Sequence, residues 1–139
     1  MGHDGKYLHT ELTSSIIRCY YQVYNALGYG FLEKVYENAL KKELTKAGHI
    51  VESQRQIKVY YDNEIVGEYF ADLTVDEKVI LELKAAESLV AEHEVQLINY
   101  LRATQMEVGL LLNFGKEPQL IRRVFENSYK KSKKSVQSV

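Results

Sequence analysis

The sequence predicts an α/β domain in which helices flank a central mixed sheet built around an antiparallel meander. Three observations carry this. Apolar residues recur at helical spacing over the first third of the 139-residue chain,. Beyond Gly48 the period changes to strict alternation,. A later helical stretch then leads into VGLLLNF at 108–114, a nearly continuous apolar run of the kind found in strands buried on both faces,.

The elements follow in order. Residues 1–9 read as a flexible leader. Leu12, Ile16, Cys19, Tyr20, Val23 and Leu27 line one face of a first helix, with Thr10 as its N-cap,. Gly28 and Gly30 interrupt the pattern. A second helix starts near Phe31, buries Leu32, Val35, Tyr36, Ala39, Leu40 and Leu44, and stops at Gly48,. Ile57, Val59 and Tyr61 alternate with polar residues and mark a strand. After the turn signal Asp62-Asn63, a second strand runs through Ile65, Tyr69, Ala71, Leu73 and Val75,. A third covers 79–85. A helix over 89–104 turns Val95, Ile98 and Leu101 inward. The run at 108–114 is a strand, 115–118 a turn, and 120–125 an edge strand, with a helical turn as the alternative. SYKKSKKSVQSV at 128–139 reads as a basic disordered tail,. The chain is therefore one domain, 10–127, between two flexible ends.

Composition narrows the function. A hydrophobic fraction of 45% with 27% charged residues suits a folded globular protein,. The single cysteine, Cys19, cannot form an internal disulfide, and its place in the helical pattern makes it a small buried residue,. No run approaches the roughly 20 apolar residues of a membrane span, and the N-terminus carries no signal-peptide pattern, so the expected setting is cytoplasmic. The formal net charge is −1. Dedicated duplex-binding modules are far more basic, because phosphate neutralisation supplies most of their affinity. An enzyme whose acidic centre holds cations is less constrained.

Strand parity gathers charges at the second hairpin. Ala71, Leu73 and Val75 on one strand, and Val79, Leu81, Leu83 and Ala85 on the next, are apolar and odd-numbered. If both sets face one core, the simplest register opposes Val75 to Val79 across a loop of Asp76, Glu77 and Lys78. Asp72 then faces Glu82, with Lys84 further along the same side. Two carboxylates about 4 Å apart repel by roughly 4 kcal/mol at an effective dielectric near 20. Lys84 offsets part of this, and Mg²⁺ or Mn²⁺ would offset more. Such hard cations take carboxylate and carbonyl oxygens, which Asp72, Glu82 and the backbone carbonyl of Leu83 can supply. A salt-bridge cluster on a solvated sheet face is the plainer alternative. Gln96 and Tyr100 add to the constellation, four residues apart on one helical face,.

Asp72, then Glu82-Leu83-Lys84, then the QLINY stretch from Gln96 to Tyr100, resembles the PD-(D/E)XK nuclease superfamily. The QxxxY element is similar to that of the exonuclease branch found in recombination-repair nucleases. GFLEKVY, from Gly30 to Tyr36, looks like the GxxExxY signature of a family of small bacterial and archaeal proteins. The resemblance implies a restriction-endonuclease-like core. It also implies Asp72 and Glu82 as metal ligands, Lys84 as the catalytic lysine, Gln96 and Tyr100 as a supporting pair, and Glu33 approaching the metal from the preceding helix. Two positions depart from the pattern. Ala71 stands where a proline is common, and Glu33 where the exonuclease branch often has histidine, which leaves one metal or two open.

Glu33 also suits the first turn of a helix on dipole grounds, and Tyr36 reads better as a core aromatic. Arg122 and Arg123 are weaker candidates for phosphate contacts. The expected activity is hydrolysis of a nucleic-acid phosphodiester, with DNA favoured and Mg²⁺ or Mn²⁺ as cofactor. The rival is a non-catalytic interaction or homodimerisation protein on the same scaffold, using the many tyrosines and the apolar edge segment near Leu120. A regulatory DNA-binding module is disfavoured by the net charge.

Overall fold

The computed structural model describes residues 8–130. Helices α1 (Thr10–Leu27) and α2 (Glu33–Lys46) precede strands β1 (Val51–Tyr61), β2 (Glu64–Val75) and β3 (Val79–Lys84). Helix α3 (Ala91–Arg102), strands β4 (Val108–Phe114) and β5 (Pro118–Val124), and a 3-10 turn at Asn127–Tyr129 complete the order. The five strands lie in chain order in one sheet. Every neighbouring pair is antiparallel except β3 and β4. That parallel pair needs a crossover, and α3 supplies it.

Two apolar clusters cover the two faces. Val79, Leu81 and Leu83 pack with residues of α1 and α2, including Ile16, Tyr20, Tyr36 and Leu40. Ile80 and Leu111 pack with Leu97, Tyr100 and Leu101 of α3. Strands β3 and β4 are thus covered on both sides, which explains their unbroken hydrophobicity. The buried tyrosines find hydrogen-bond partners, as their hydroxyls require. Tyr20 donates to the Asn113 carbonyl and accepts the Gln119 N–H. Tyr36 stacks on Phe114 with ring centroids 4.2 Å apart. Its hydroxyl donates to the Gly28 carbonyl at 2.8 Å and accepts the Phe31 N–H at 3.1 Å. It is a core aromatic that also shapes the α1–α2 loop.

Several local expectations change. Thr10 is the first helical residue rather than the cap; His9 caps α1 with a left-handed backbone and no side-chain bond. On α2, Leu32 and Val35 are exposed, because the buried face runs through Tyr36, Glu37, Leu40 and Leu44. On α3, Val95 is exposed and Leu97 is buried instead. Leu97 seats over Gly109, where an added Cβ would lie 2.6 Å from Leu97 Cδ1. Strand β1 begins at Val51, before its first buried residue, Ile57. Alternation on β2 breaks at Ala71, which joins the α3-side cluster while Leu73 and Val75 belong to the other.

The expected leader falls outside the described residues up to position 7, and the expected tail from 131 onward. Structure continues past 127, since Asn127–Tyr129 is a 3-10 turn and Lys130 Nζ donates to the carbonyls of Thr104 and Met106. Leu120 and Val124 pack against one core, and Ile121 and Phe125 against the other, so β5 is an edge strand but not an exposed apolar one. Among the described residues no helix is long and apolar enough to cross a membrane.

Asn113, fully buried on β4, ties down the chain that leaves β3. Its Oδ1 accepts the Ala86 N–H, and its Nδ2 donates to the Ala86 carbonyl, both at 3.0 Å. Asn113→Leu removes both partners. It should destabilise the protein by about 1–3 kcal/mol, read from urea unfolding midpoints at unchanged m-value.

Candidate active site

The predicted hairpin register holds: Val75 pairs with Val79, Thr74 with Ile80 and Leu73 with Leu81. There the ladder stops. At the next step carboxylates take the hydrogen bonds that carbonyls would have taken. The Asp72 N–H donates to Glu82 Oε2 at 3.0 Å, and the Leu83 N–H donates to Asp72 Oδ2 at 2.8 Å. Each acid is anchored by the backbone of the opposite strand. Asp72 Oδ1 and Glu82 Oε1 accept no hydrogen bond from the described residues.

The other flank of Asp72 is also irregular. Ser53 pairs with Leu73 and Arg55 with Ala71, but the ladder skips Gln54 and Asp72. Gln54 holds φ 55, a left-handed backbone that a side chain disfavours,. Its amide Nε2 lies 3.2 and 3.3 Å from the two carboxylate oxygens of Glu37. Glu37 is only 6% exposed and also accepts Lys34 Nζ at 3.1 Å. The sheet therefore opens on both sides of Asp72.

Electrostatics report which groups gather here. Glu82 is pushed up to about 8, first by burial and then by the charge of Asp72, with Lys84 pulling the other way. Burial also raises Asp72; Glu37 and Glu33 raise it further, while the Leu83 N–H and Lys84 lower it. Tyr100 is pushed up to about 12 by burial and by Glu82 and Asp72. Its hydroxyl accepts from Gln96 Nε2 at 3.0 Å. Asp72, Glu82, Lys84, Gln96 and Tyr100 thus form one neighbourhood. Glu33, exposed on the first turn of α2, acts on both acids electrostatically. It does not converge with them: among the described residues no group of three or more His, Cys, Asp or Glu side chains is placed to hold a metal.

Arg122 and Arg123 are not brought to this neighbourhood. They lie on β5, two strands from β3, where Arg122 donates to the Leu8 carbonyl and Arg123 pairs with Glu94 at 2.6 Å. His93 serves α3, its Nδ1 accepting the Val90 N–H. Glu37 and Gln54 escaped the sequence reading. Glu37 carried a signal, its four-residue spacing from Glu33 on one helix face. Gln54, one polar residue within a polar strand, carried none.

The donor set suits a hard divalent cation. Buried Glu82 and half-buried Asp72 each keep one oxygen without a donor from the described residues and repel each other, a condition that oxygen-seeking Mg²⁺ or Mn²⁺ would relieve. Glu37 and Gln54 lie at the margin, and their contact braces the part of β1 next to the gap in the ladder at Asp72.

Two predictions follow from these energetics. Glycine in a strand ordinarily costs about 0.5–1 kcal/mol relative to alanine. At position 54 the order should reverse, with Gln54→Gly more stable than Gln54→Ala by about 1–2 kcal/mol, since only glycine accepts the left-handed backbone freely. Chemical denaturation of the two variants reads this directly. The second concerns pH. Glu82 moves from an ordinary 4.5 to about 8 on folding, so between these values the folded state holds a proton that the unfolded chain has released. Stability of the metal-free protein should fall as pH rises through that window. Melting temperature in EDTA should drop by several degrees from about pH 5 to about pH 8, and Glu82→Gln should flatten the profile.

No curated protein and no solved structure matches the chain. The family model described as the PD-(D/E)XK nuclease superfamily matches residues 10–124, nearly all of the described structure. Three helices on an open, five-stranded mixed sheet agree with the restriction-endonuclease-like fold that the motifs implied. The chain belongs to the PD-(D/E)XK nuclease superfamily.

Proposed function

We propose that this protein is a divalent-metal-dependent nuclease that hydrolyses phosphodiester bonds, with DNA the favoured substrate. One observation carries the reading. Asp72 and Glu82 are held together by crossed backbone bonds, beside Lys84 and against the Gln96–Tyr100 pair. Holding two acids this way opposes their own repulsion, and membership of a nuclease superfamily supports the same conclusion.

In this reading Asp72 and Glu82 hold Mg²⁺ or Mn²⁺ through the oxygens their backbone anchors leave open, with the Leu83 carbonyl as a further donor and Glu33 approaching through water. Such a cation, when bound, supplies Lewis acidity toward a phosphoryl oxygen and brings a hydroxide nucleophile within reach of neutral pH. Lys84 orients the attacking water and stabilises charge developing on the phosphate. Gln96 bonds to the Tyr100 hydroxyl and, through its remaining amide atoms, to phosphate or water. Tyr100 keeps its proton near neutral pH, because burial first, and then Glu82 and Asp72, push its hydroxyl up to about 12.

A second reading, an interaction protein on this scaffold, draws on Tyr61, Ile65, Val66 and Phe70, apolar side chains exposed on the β1–β2 hairpin. The dimer surface expected near Leu120 would then lie on that hairpin.

Cleavage of linear, nicked and single-stranded DNA and of RNA in Mg²⁺ or Mn²⁺ separates the two. Lys84→Ala and Asp72→Asn should each lower the rate by about 10²-fold or more; undiminished cleavage in both would remove the site. Saturating metal should also raise the melting temperature. At a hundred times the dissociation constant the native state gains about 2.7 kcal/mol. A fold intact but indifferent to millimolar metal favours the interaction protein.

A further inference from the structure

A cavity of about 580 Å³ lies between α3 and the β1–β2 hairpin. Gln96 and Tyr100, already in the site, form part of its wall, and Val59, Tyr69, Asn99 and Arg102 are among the rest. Those two side chains join it to the carboxylate centre, although Asp72, Glu82 and Lys84 are not part of its wall. Tyr69 and Tyr100 meet there with ring centroids 5.8 Å apart, tilted at 47°.

Tyr69 is set for display. It pairs across the hairpin with buried Ile57, which places its side chain on the α3 face. Its ring lies against Gly67, where an added Cβ would come to 3.3 Å of Tyr69 Cε2. The ring is consequently supported from one side and remains 47% exposed. An aromatic face held open beside a phosphodiester site suits whatever hangs from that phosphodiester, which is a nucleoside. Gln96 and Asn99 offer amides to a base edge, and Arg102 offers a cation to a neighbouring phosphate, although Glu92 on the same rim opposes it. A paired, stacked base cannot present its π-face to such a wall; an unpaired one can.

We infer that this groove takes an unpaired nucleobase next to the scissile phosphate, stacked on Tyr69, and that the substrate is single-stranded nucleic acid. The inference rests on the nuclease reading for what lies at the Tyr100 end of the groove.

The test uses the full chain, a single-stranded DNA oligonucleotide and its blunt duplex. In Mn²⁺ the single strand should be cut at least tenfold faster. Tyr69→Ala should lower single-strand cleavage by about tenfold, as expected for loss of one base–aromatic stack, while Tyr69→Phe retains it. An abasic position beside the cut should impose a similar penalty on the wild type and none on Tyr69→Ala. In EDTA, a 2-aminopurine oligonucleotide should lose fluorescence on binding, and Tyr69→Ala should restore it. Equal cleavage of both substrates, or an abasic penalty that persists in Tyr69→Ala, overturns the inference. So does a wild-type dimer that Tyr69→Ala converts to monomer, because a second copy then fills the groove. Tyr69-dependent quenching without any cleavage keeps the groove and removes the nuclease; cleavage without quenching does the reverse.

Discussion

The exchange of backbone and carboxylate partners between β2 and β3 governs much of this structure. Buried N–H groups must be paired. Past Leu73 and Leu81 the Asp72 and Leu83 N–H groups meet that demand with carboxylates. The strands are thereby released from strict pairing at the point where the proposed cation would need access to two oxygens. The same bonds hold two acids together, Glu82 buried and Asp72 half-buried, so their repulsion is poorly screened by water,. A proton or a cation resolves that conflict, so the centre is built to hold one or the other. Its local instability and its proposed chemistry share one cause.

The rest of the fold keeps this arrangement from relaxing. Strand β3 cannot shift, because Val79, Leu81 and Leu83 are locked into one core while Ile80 sits in the other. Just beyond Lys84, Asn113 grips both backbone groups of Ala86. The crossover helix arrives already oriented, since Leu97 fits over Gly109 and so turns Gln96 and Tyr100 toward the acids. From the opposite side, Glu37 reaches Gln54 and maintains the kink in β1 that faces Asp72. Left-handed backbone at a non-glycine residue persists only where its surroundings over-determine it. Here a buried carboxylate does so.

Much of this was legible in the sequence for a simple reason. Where a strand is buried on one face, a period of two leaves little freedom in its register, so Val75 could be matched to Val79 and Asp72 brought to Glu82 from numbering alone. The same reasoning failed at Ala71, because parity assumes an unbroken ladder and the ladder breaks beside Asp72. It also failed for Leu32, Val35 and Val95, apolar residues that periodicity placed inward and the structure leaves exposed. A helix pattern marks a broad stripe, and only the partner surface decides which edge of the stripe is covered. Glu37 shows the limit most clearly. Its spacing from Glu33 and the nearby Lys34 mark a charged helix face, but its enclosure depends on Gln54 arriving from β1, which the helix sequence does not announce.

The near-neutral charge, first an argument against a dedicated duplex-binding module, takes on a different meaning beside the Tyr69 groove. Proteins that hold nucleic acid by neutralising phosphates gain affinity from released counterions and lose it steeply in salt. A chain of net charge −1 with an acidic centre has little of that resource. Stacking of a base on an aromatic ring is worth about 1–3 kcal/mol and draws on apolar contact rather than on phosphate charge. In the proposed groove Tyr69 would supply that contact, whereas Arg122 and Arg123 are engaged with Leu8 and Glu94 on β5. If the chain is the nuclease proposed, a weakly charged surface with a stacking platform would engage bases that are already unpaired, since opening a duplex would require binding energy that such a surface lacks.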